Sequence, residues 1–113
     1  MSRWIDVINE GQLTNGKVKL IEVEATRIAV INLNGEYFAI KDVCSHEGFP
    51  MLGSGIDPVE LINGEKLLCP RHGARFSIRS GEPLCPPAFE PIDTYEVRIH
   101  EEMVQIMAPK PGK

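Results

Sequence analysis

Two short stretches constrain this chain more than anything else in it: "CSHEGFP", which begins at Cys44, and "LLCPRHGARFS", which begins at Leu67. Cys44-x-His46 is answered by Cys69-x-x-His72, with positions 47 to 68 between them. The 113 residues include three cysteines and three histidines, and two of each fall in this doubled pattern. Two thiolates and two imidazoles are donors of the right softness for a transition metal. Any fold the chain adopts must therefore bring the two loops together. Buried cysteines beside ordinary surface histidines would explain one such pair, but a matched second pair bordered by Gly and Pro favours a metal. An odd cysteine count, with no basic start and apolar run of the secretory kind, argues against a disulfide framework and leaves Cys85 as the spare.

The flanks of the motif read as strands, because β-branched residues and period-two alternation dominate and no segment keeps an apolar 3.6 period for three turns. Trp4 to Ile8, Lys17 to Val23, Arg27 to Leu33 and Glu36 to Lys41 form one series. Asn34-Gly35 predicts a type I′ hairpin between the last two, since both central residues need positive φ. Thr94 to Ile99 and Met103 to Met107 predict a closing hairpin, although "HEE" between them lacks the usual glycine. Residues 42 to 92 are rich in Gly and Pro and hold all three cysteines, so they read as a loop-bearing insert. The expected organisation is one domain over 1–108, with base β-sheets from about 1–41 and 93–108, the insert at about 42–92, and a tail at 109–113.

A net charge of -4 disfavours a general nucleic-acid binder, which needs a basic surface. No apolar run approaches the ~20 residues that span a bilayer, so a cytoplasmic chain without membrane contact, working with soluble partner proteins, is expected.

Zinc is the generic tenant of a Cys₂His₂ set, but zinc fingers separate like ligands, whereas here each loop supplies one Cys and one His. That arrangement suits two metal ions that each receive a like pair. At this point the sequence resembles the Rieske family, whose motif is Cys-x-His and Cys-x-x-His around a two-iron, two-sulfur cluster. The likeness extends to Gly48, Pro70, Gly73, Phe76, Gly81 and the Pro-Pro-Ala run at 86 to 88. It implies an all-β, Rieske-like antiparallel β-sandwich with a small cluster-binding subdomain inserted between strands. It also implies one Rieske-type 2Fe-2S cluster, with Cys44 and Cys69 on the inner iron and His46 and His72 on the outer iron near the surface. Pro86 and Pro87 resemble the proline loop that covers the cluster in this family. Neutral imidazoles in place of two thiolates make the oxidised cluster less negative and easier to reduce.

The resemblance also sorts the subclasses. Members from respiratory complexes carry an extra cysteine in each loop, joined by a disulfide, where this chain has Phe49 and Arg71. They also place Ser and Tyr hydroxyls where this chain has Ala74 and Phe76, and lost donors should lower the potential. The chain is thus similar to the soluble, low-potential ferredoxins. A catalytic oxygenase subunit would need a second iron site, and with His46 and His72 committed only His100 remains. The leading expectation is a one-electron carrier, not an enzyme, passing electrons from a flavin-dependent reductase to a terminal oxygenase or other redox enzyme. The alternatives are a small subunit of an assimilatory nitrite reductase and a structural zinc-binding interaction module.

Two further features remain. The spacer at 47–68 is longer than the resemblance leads one to expect, and Asn63-Gly64 suggests a hairpin within an otherwise lengthened surface loop. Lys66, Arg71, Arg75 and Arg79 follow one another with no carboxylate between, which predicts a basic docking patch beside the cluster.

Overall fold

A computed structural model of the chain describes residues 3–43, 50–69, 73–85 and 90–108. Among the described residues eleven strands run in the order β1 (Trp4–Asn9), β2 (Val18–Val23), β3 (Thr26–Leu33), β4 (Glu36–Lys41), β5 (Ile62–Asn63), β6 (Lys66–Leu68), β7 (Arg75–Ser77), β8 (Pro83–Cys85), β9 (Thr94–Tyr95), β10 (Val97–His100) and β11 (Met103–Met107). Helical structure among the described residues is confined to single turns at Glu10–Gln12, Leu52–Ser54 and Pro58–Leu61. Three antiparallel sheets result: β1-β11-β10, β2-β3-β4-β9 and β5-β6-β7-β8. The all-β expectation holds, and the insert carries a four-stranded sheet of its own where the sequence suggested mainly loops.

Hairpin chemistry explains the first series of strands. Asn34 and Gly35 have φ of 55° and 90°, as a type I′ turn requires. Glu101 and Glu102 reach φ of 51° and 68° without a glycine, and Glu24 and Ala25 do the same between β2 and β3 at 50° and 69°. Non-glycine residues bear this conformation because the register of the flanking strands, Val97↔Ile106 to His100↔Met103 in the closing hairpin, already dictates a two-residue loop. Thr94 to Ile99 is not one strand. β9 pairs with β4, β10 pairs with β11, and Glu96 between them accepts a hydrogen bond from the Met107 N–H at 2.9 Å. The chain changes sheets at that residue.

The sheet β2-β3-β4-β9 is covered on both faces. Ile28 and Val30 pack with Leu13, Ala39, Val104 and Ile106, while Ala29 and Ile31 pack with Ile40 and the insert's Met51, Leu61, Leu67, Phe76 and Ile78. Residues 28 to 32 of β3 are accordingly all buried, the pattern of a strand with no solvent face. The insert therefore sits on the opposite side of this sheet from β1-β11-β10.

Candidate metal centre

The segment that carries the second Cys and His pair begins at the end of a hairpin strand. β6 and β7 pair in the register Leu67↔Phe76 and Leu68↔Arg75, which leaves Cys69 facing Ala74 across the loop. The Cys69 N–H donates to the Ala74 carbonyl at 2.7 Å, and the Gly73 N–H donates to the Cys69 carbonyl at 3.1 Å. Gly73 takes φ of 74°, where a side chain would be strained, so a glycine closes the turn. Strand alternation then puts Leu67, Cys69, Ala74 and Phe76 on the inner face, and all four are buried. Lys66 and Arg75 face out and are exposed.

The segment that carries the first Cys and His pair follows β4, and the described chain resumes at Pro50. The Asp42 N–H donates to the Arg27 carbonyl at 2.9 Å, and the Val43 N–H turns back onto the Lys41 carbonyl at 2.9 Å. The buried Asp42 carboxylate receives three backbone N–H bonds, from Met51 and Leu52 at 3.2 and 2.6 Å on Oδ1 and from Gly53 at 2.7 Å on Oδ2. Both ends of the loop are thus tied to one side chain. Sequence reading passed over Asp42 and Gly53. The available signal was an aspartate ending an apolar strand two residues before the motif, since Asp readily accepts from nearby backbone N–H groups.

Of the residues singled out in the sequence, Cys44, His46, Gly48, Phe49, Pro70, Arg71, His72, Pro86, Pro87 and Ala88 lie outside the described residues. Cys69, Gly73, Ala74, Arg75, Phe76 and Gly81 lie within them, and Cys85 ends β8 in register with Arg75. The described part fits an iron–sulfur ligand. Cys69 is a free thiol, 2% exposed, held at a glycine-closed hairpin end among apolar neighbours. Such a position suits an inner ligand shielded from water and suits a surface thiol poorly.

One expectation is corrected. The spacer is not merely a lengthened surface loop: Met51, Leu52 and Leu61 are buried, and β5 pairs with β6 through Ile62↔Leu67 and Asn63↔Lys66. The hairpin turn falls at Gly64-Glu65, with φ of 63° at Gly64, one residue later than Asn63-Gly64. Of the basic run, Arg71 lies outside the described residues, Lys66 and Arg75 are exposed, and Arg79 is paired with carboxylates. Arg79 bonds Glu65 at 2.8 Å and Glu36 at 3.1 Å and lies 4.9 Å from the Phe38 ring centre, so its charge is spent on a tie between the insert and the β3–β4 turn. The hydrogen bond from Arg79 holds the Glu65 carboxyl below the usual carboxylate range. Lys66 and Arg75 instead border a shallow groove of about 200 Å³ with Glu60, Leu61, Asn63 and Leu68.

Gly81 has a packing reason that the motif alone did not supply. At φ of 79° its Cβ position is filled by the Ile92 carbonyl oxygen, whose residue in turn donates its N–H to the Gly81 carbonyl at 2.9 Å. This contact returns the chain from the insert to the base sheets.

Comparison with known proteins agrees with this geometry. The family description "Rieske 2Fe-2S domain" matches residues 3–96. The ferredoxin component of a naphthalene 1,2-dioxygenase system from Pseudomonas aeruginosa is 31% identical over 104 residues, covering 92% of this chain and 94% of that protein. A solved structure titled as a complex of reduced oxygenase and oxidized ferredoxin in carbazole 1,9a-dioxygenase superposes with a TM-score of 0.81 at 25% identity, covering 97% of both chains. The ferredoxin of carbazole 1,9a-dioxygenase from Nocardioides aromaticivorans superposes with a TM-score of 0.76 at 25% identity, covering 95% of this chain and 98% of that one. The chain belongs to the Rieske 2Fe-2S family, as a cluster-bearing electron carrier of the ferredoxin-component type and not as a catalytic subunit.

Proposed function

We propose that this ferredoxin delivers single electrons to a terminal oxygenase, having received them from a flavin-dependent reductase. Cys44 and Cys69 would hold the inner iron, and His46 and His72 the outer. The observation that carries the ligand assignment is the buried free thiol of Cys69 at its glycine-closed hairpin end. Relatives named as ferredoxin components of dioxygenase systems favour an oxygenase as acceptor over a nitrite reductase or a zinc-module role. The same reading keeps residues 1–108 as one domain with 109–113 as a tail, because both buried clusters draw on β3 and β4. It places the carrier in the cytoplasm; among the described residues no helix is long and apolar enough to cross a membrane.

The cluster, when bound, supplies reversible one-electron chemistry. The chain sets how readily that electron is accepted. Ala74 and Phe76 share the inner face with Cys69 and carry no hydroxyl, so the cluster and its ligand sulfur would lack two donors that favour the reduced state. The predicted potential is at the low end of the Rieske range, about -150 mV. Lys66 and Arg75 on the outer face are the charges left to steer an acidic partner surface, together with Arg71.

The test is a potentiometric titration of purified holo-protein, followed by stopped-flow oxidation with an oxygenase component of the naphthalene dioxygenase type. A potential near the predicted value, and transfer that slows with salt and in Arg75→Glu while the cluster spectrum is unchanged, support the reading. A potential above roughly +150 mV would contradict it.

A further inference from the structure

The Asp42 carboxylate carries a role that ligand chemistry alone does not assign. It is 2% exposed, and the backbone N–H groups of Met51, Leu52 and Gly53 converge on its two oxygens at 3.2, 2.6 and 2.7 Å. Three converging N–H groups solvate a buried carboxylate in place of water, and bonds to an ionised acceptor are stronger than neutral ones. The residue's own backbone is fixed to the base sheet through the Arg27 carbonyl. The site is built for this acceptor: a Cβ on Gly53 would lie 3.0 Å from Oδ2, with the Pro50 Cβ and Leu20 Cδ1 each 3.7 Å away. Gly53 has φ of -87°, so its backbone does not require glycine, and the contact with the carboxylate is the feature an added methyl would disturb.

We propose that Asp42 is a positioning residue for the cluster: by tying the exit from β4 to the turn at 51–53, it fixes the two described chain ends between which Cys44 and His46 lie in sequence. The inference rests on the ligand assignment above. Bringing two chain ends together is entropically unfavourable, and ends that are already tied lower the cost of binding and retaining the cluster between them. The consequence lies in cluster retention and ligand geometry, beyond any effect on global stability.

The experiment compares holo-protein of wild type, Asp42→Asn, Gly53→Ala and Asn32→Ala. Asn32 is a buried control: its side chain bridges the Leu13 carbonyl and the Gly35 N–H, both at 2.8 Å, within the base sheet. Three quantities are read: the rate of cluster loss to a chelator, the electron paramagnetic resonance line shape after reduction, and hydrogen exchange of peptides covering 51–53. In Asp42→Asn an amide nitrogen must face a backbone N–H, or an oxygen must give up its partner. Cluster loss is expected to accelerate about tenfold or more, the scale of lost outer-shell bonds, with an altered line shape and faster exchange at 51–53. Gly53→Ala should fall between wild type and Asp42→Asn, while Asn32→Ala should lower Tm without moving line shape or exchange at 51–53. Cluster loss in Asp42→Asn no faster than in Asn32→Ala would overturn the inference. If Asp42→Asn assembles no cluster, Gly53→Ala decides: faster loss with an altered line shape supports the role, and the wild-type rate and line shape overturn it. Wild-type protein that binds no cluster would instead defeat the ligand assignment.

Discussion

The base sheets and the insert are built on different principles. β2, β3 and β4 are six to eight residues long, and their apolar side chains pack in two layers above and below one sheet. The four strands of the insert are two or three residues each. Strands that short do not stand alone; they hold because Leu61, Leu67, Phe76 and Ile78 pack against Ala29, Ile31 and Ile40. Loop geometry in the insert then depends on single residues: the Asp42 carboxylate, Gly73 at its positive φ, and Gly81 against the Ile92 carbonyl. Base substitutions should therefore spread their cost over the whole molecule, whereas insert substitutions should reach the cluster directly.

The largest effect is expected at Phe76, fully buried where the insert meets the base. Phe76→Ala should cost about 3–5 kcal/mol and shorten cluster lifetime. Val104→Ala, in the other layer, should lower Tm while leaving the chelator-driven loss rate unchanged below the transition. Urea unfolding alongside the chelator assay checks both, and equal cluster lifetimes in the two variants would break the contrast. Gly81→Ala comes next, at about 1–3 kcal/mol from backbone strain with further cost from the overlap with Ile92. Its thermal melt should show the loss, and an unchanged Tm would mean that the return from the insert is not anchored there.

Smaller effects belong to the surface and the rim. Arg79→Met removes the tie from the insert to Glu36 and Glu65, and the Tm difference from wild type should shrink in high salt. Glu65 titrates below its ordinary value in the folded state, so its contribution is present above the usual carboxylate range and is lost as pH falls through the lowered value. The Arg79→Met difference should therefore fade on the acid side only. Smallest is the Tyr95 titration, pushed up to about 12 by burial first and by Asp93 second. A raised pKa means stability is intact below the unfolded value near 10 and declines as pH rises toward 12. Phenolate absorbance of the Tyr37→Phe variant should show this midpoint; one near 10 would place Tyr95 in solvent.

How much the sequence revealed follows the same division. Strands such as Glu36 to Lys41 and Met103 to Met107 were legible to the residue, because alternation and turn chemistry are local. β3 was legible as a strand but not as one buried on both faces, since that depends on where the insert packs. The break at Glu96 could not be read locally: it depends on two sheets competing for one segment. The doubled Cys and His pattern was visible at once, and Gly73 and Gly81 with it. Asp42 was not, because its three partners lie nine to eleven residues away across a loop whose closure only the folded chain displays. The pairing of Arg79 was hidden for a similar reason, as its carboxylate partners Glu36 and Glu65 lie far from it in sequence.

The measurement that bears most directly on the whole account is an electron paramagnetic resonance spectrum of the purified, dithionite-reduced protein, taken with iron and acid-labile sulfide analysis. The account predicts a red-brown protein with two irons and two sulfides per chain, as a 2Fe-2S centre requires. Its average g value should lie below that of an all-cysteine cluster, and Cys69→Ser should abolish it while His-only changes elsewhere, such as His100→Gln, leave it intact. A colourless protein with one zinc and no sulfide, or a spectrum of the all-cysteine kind, would contradict it.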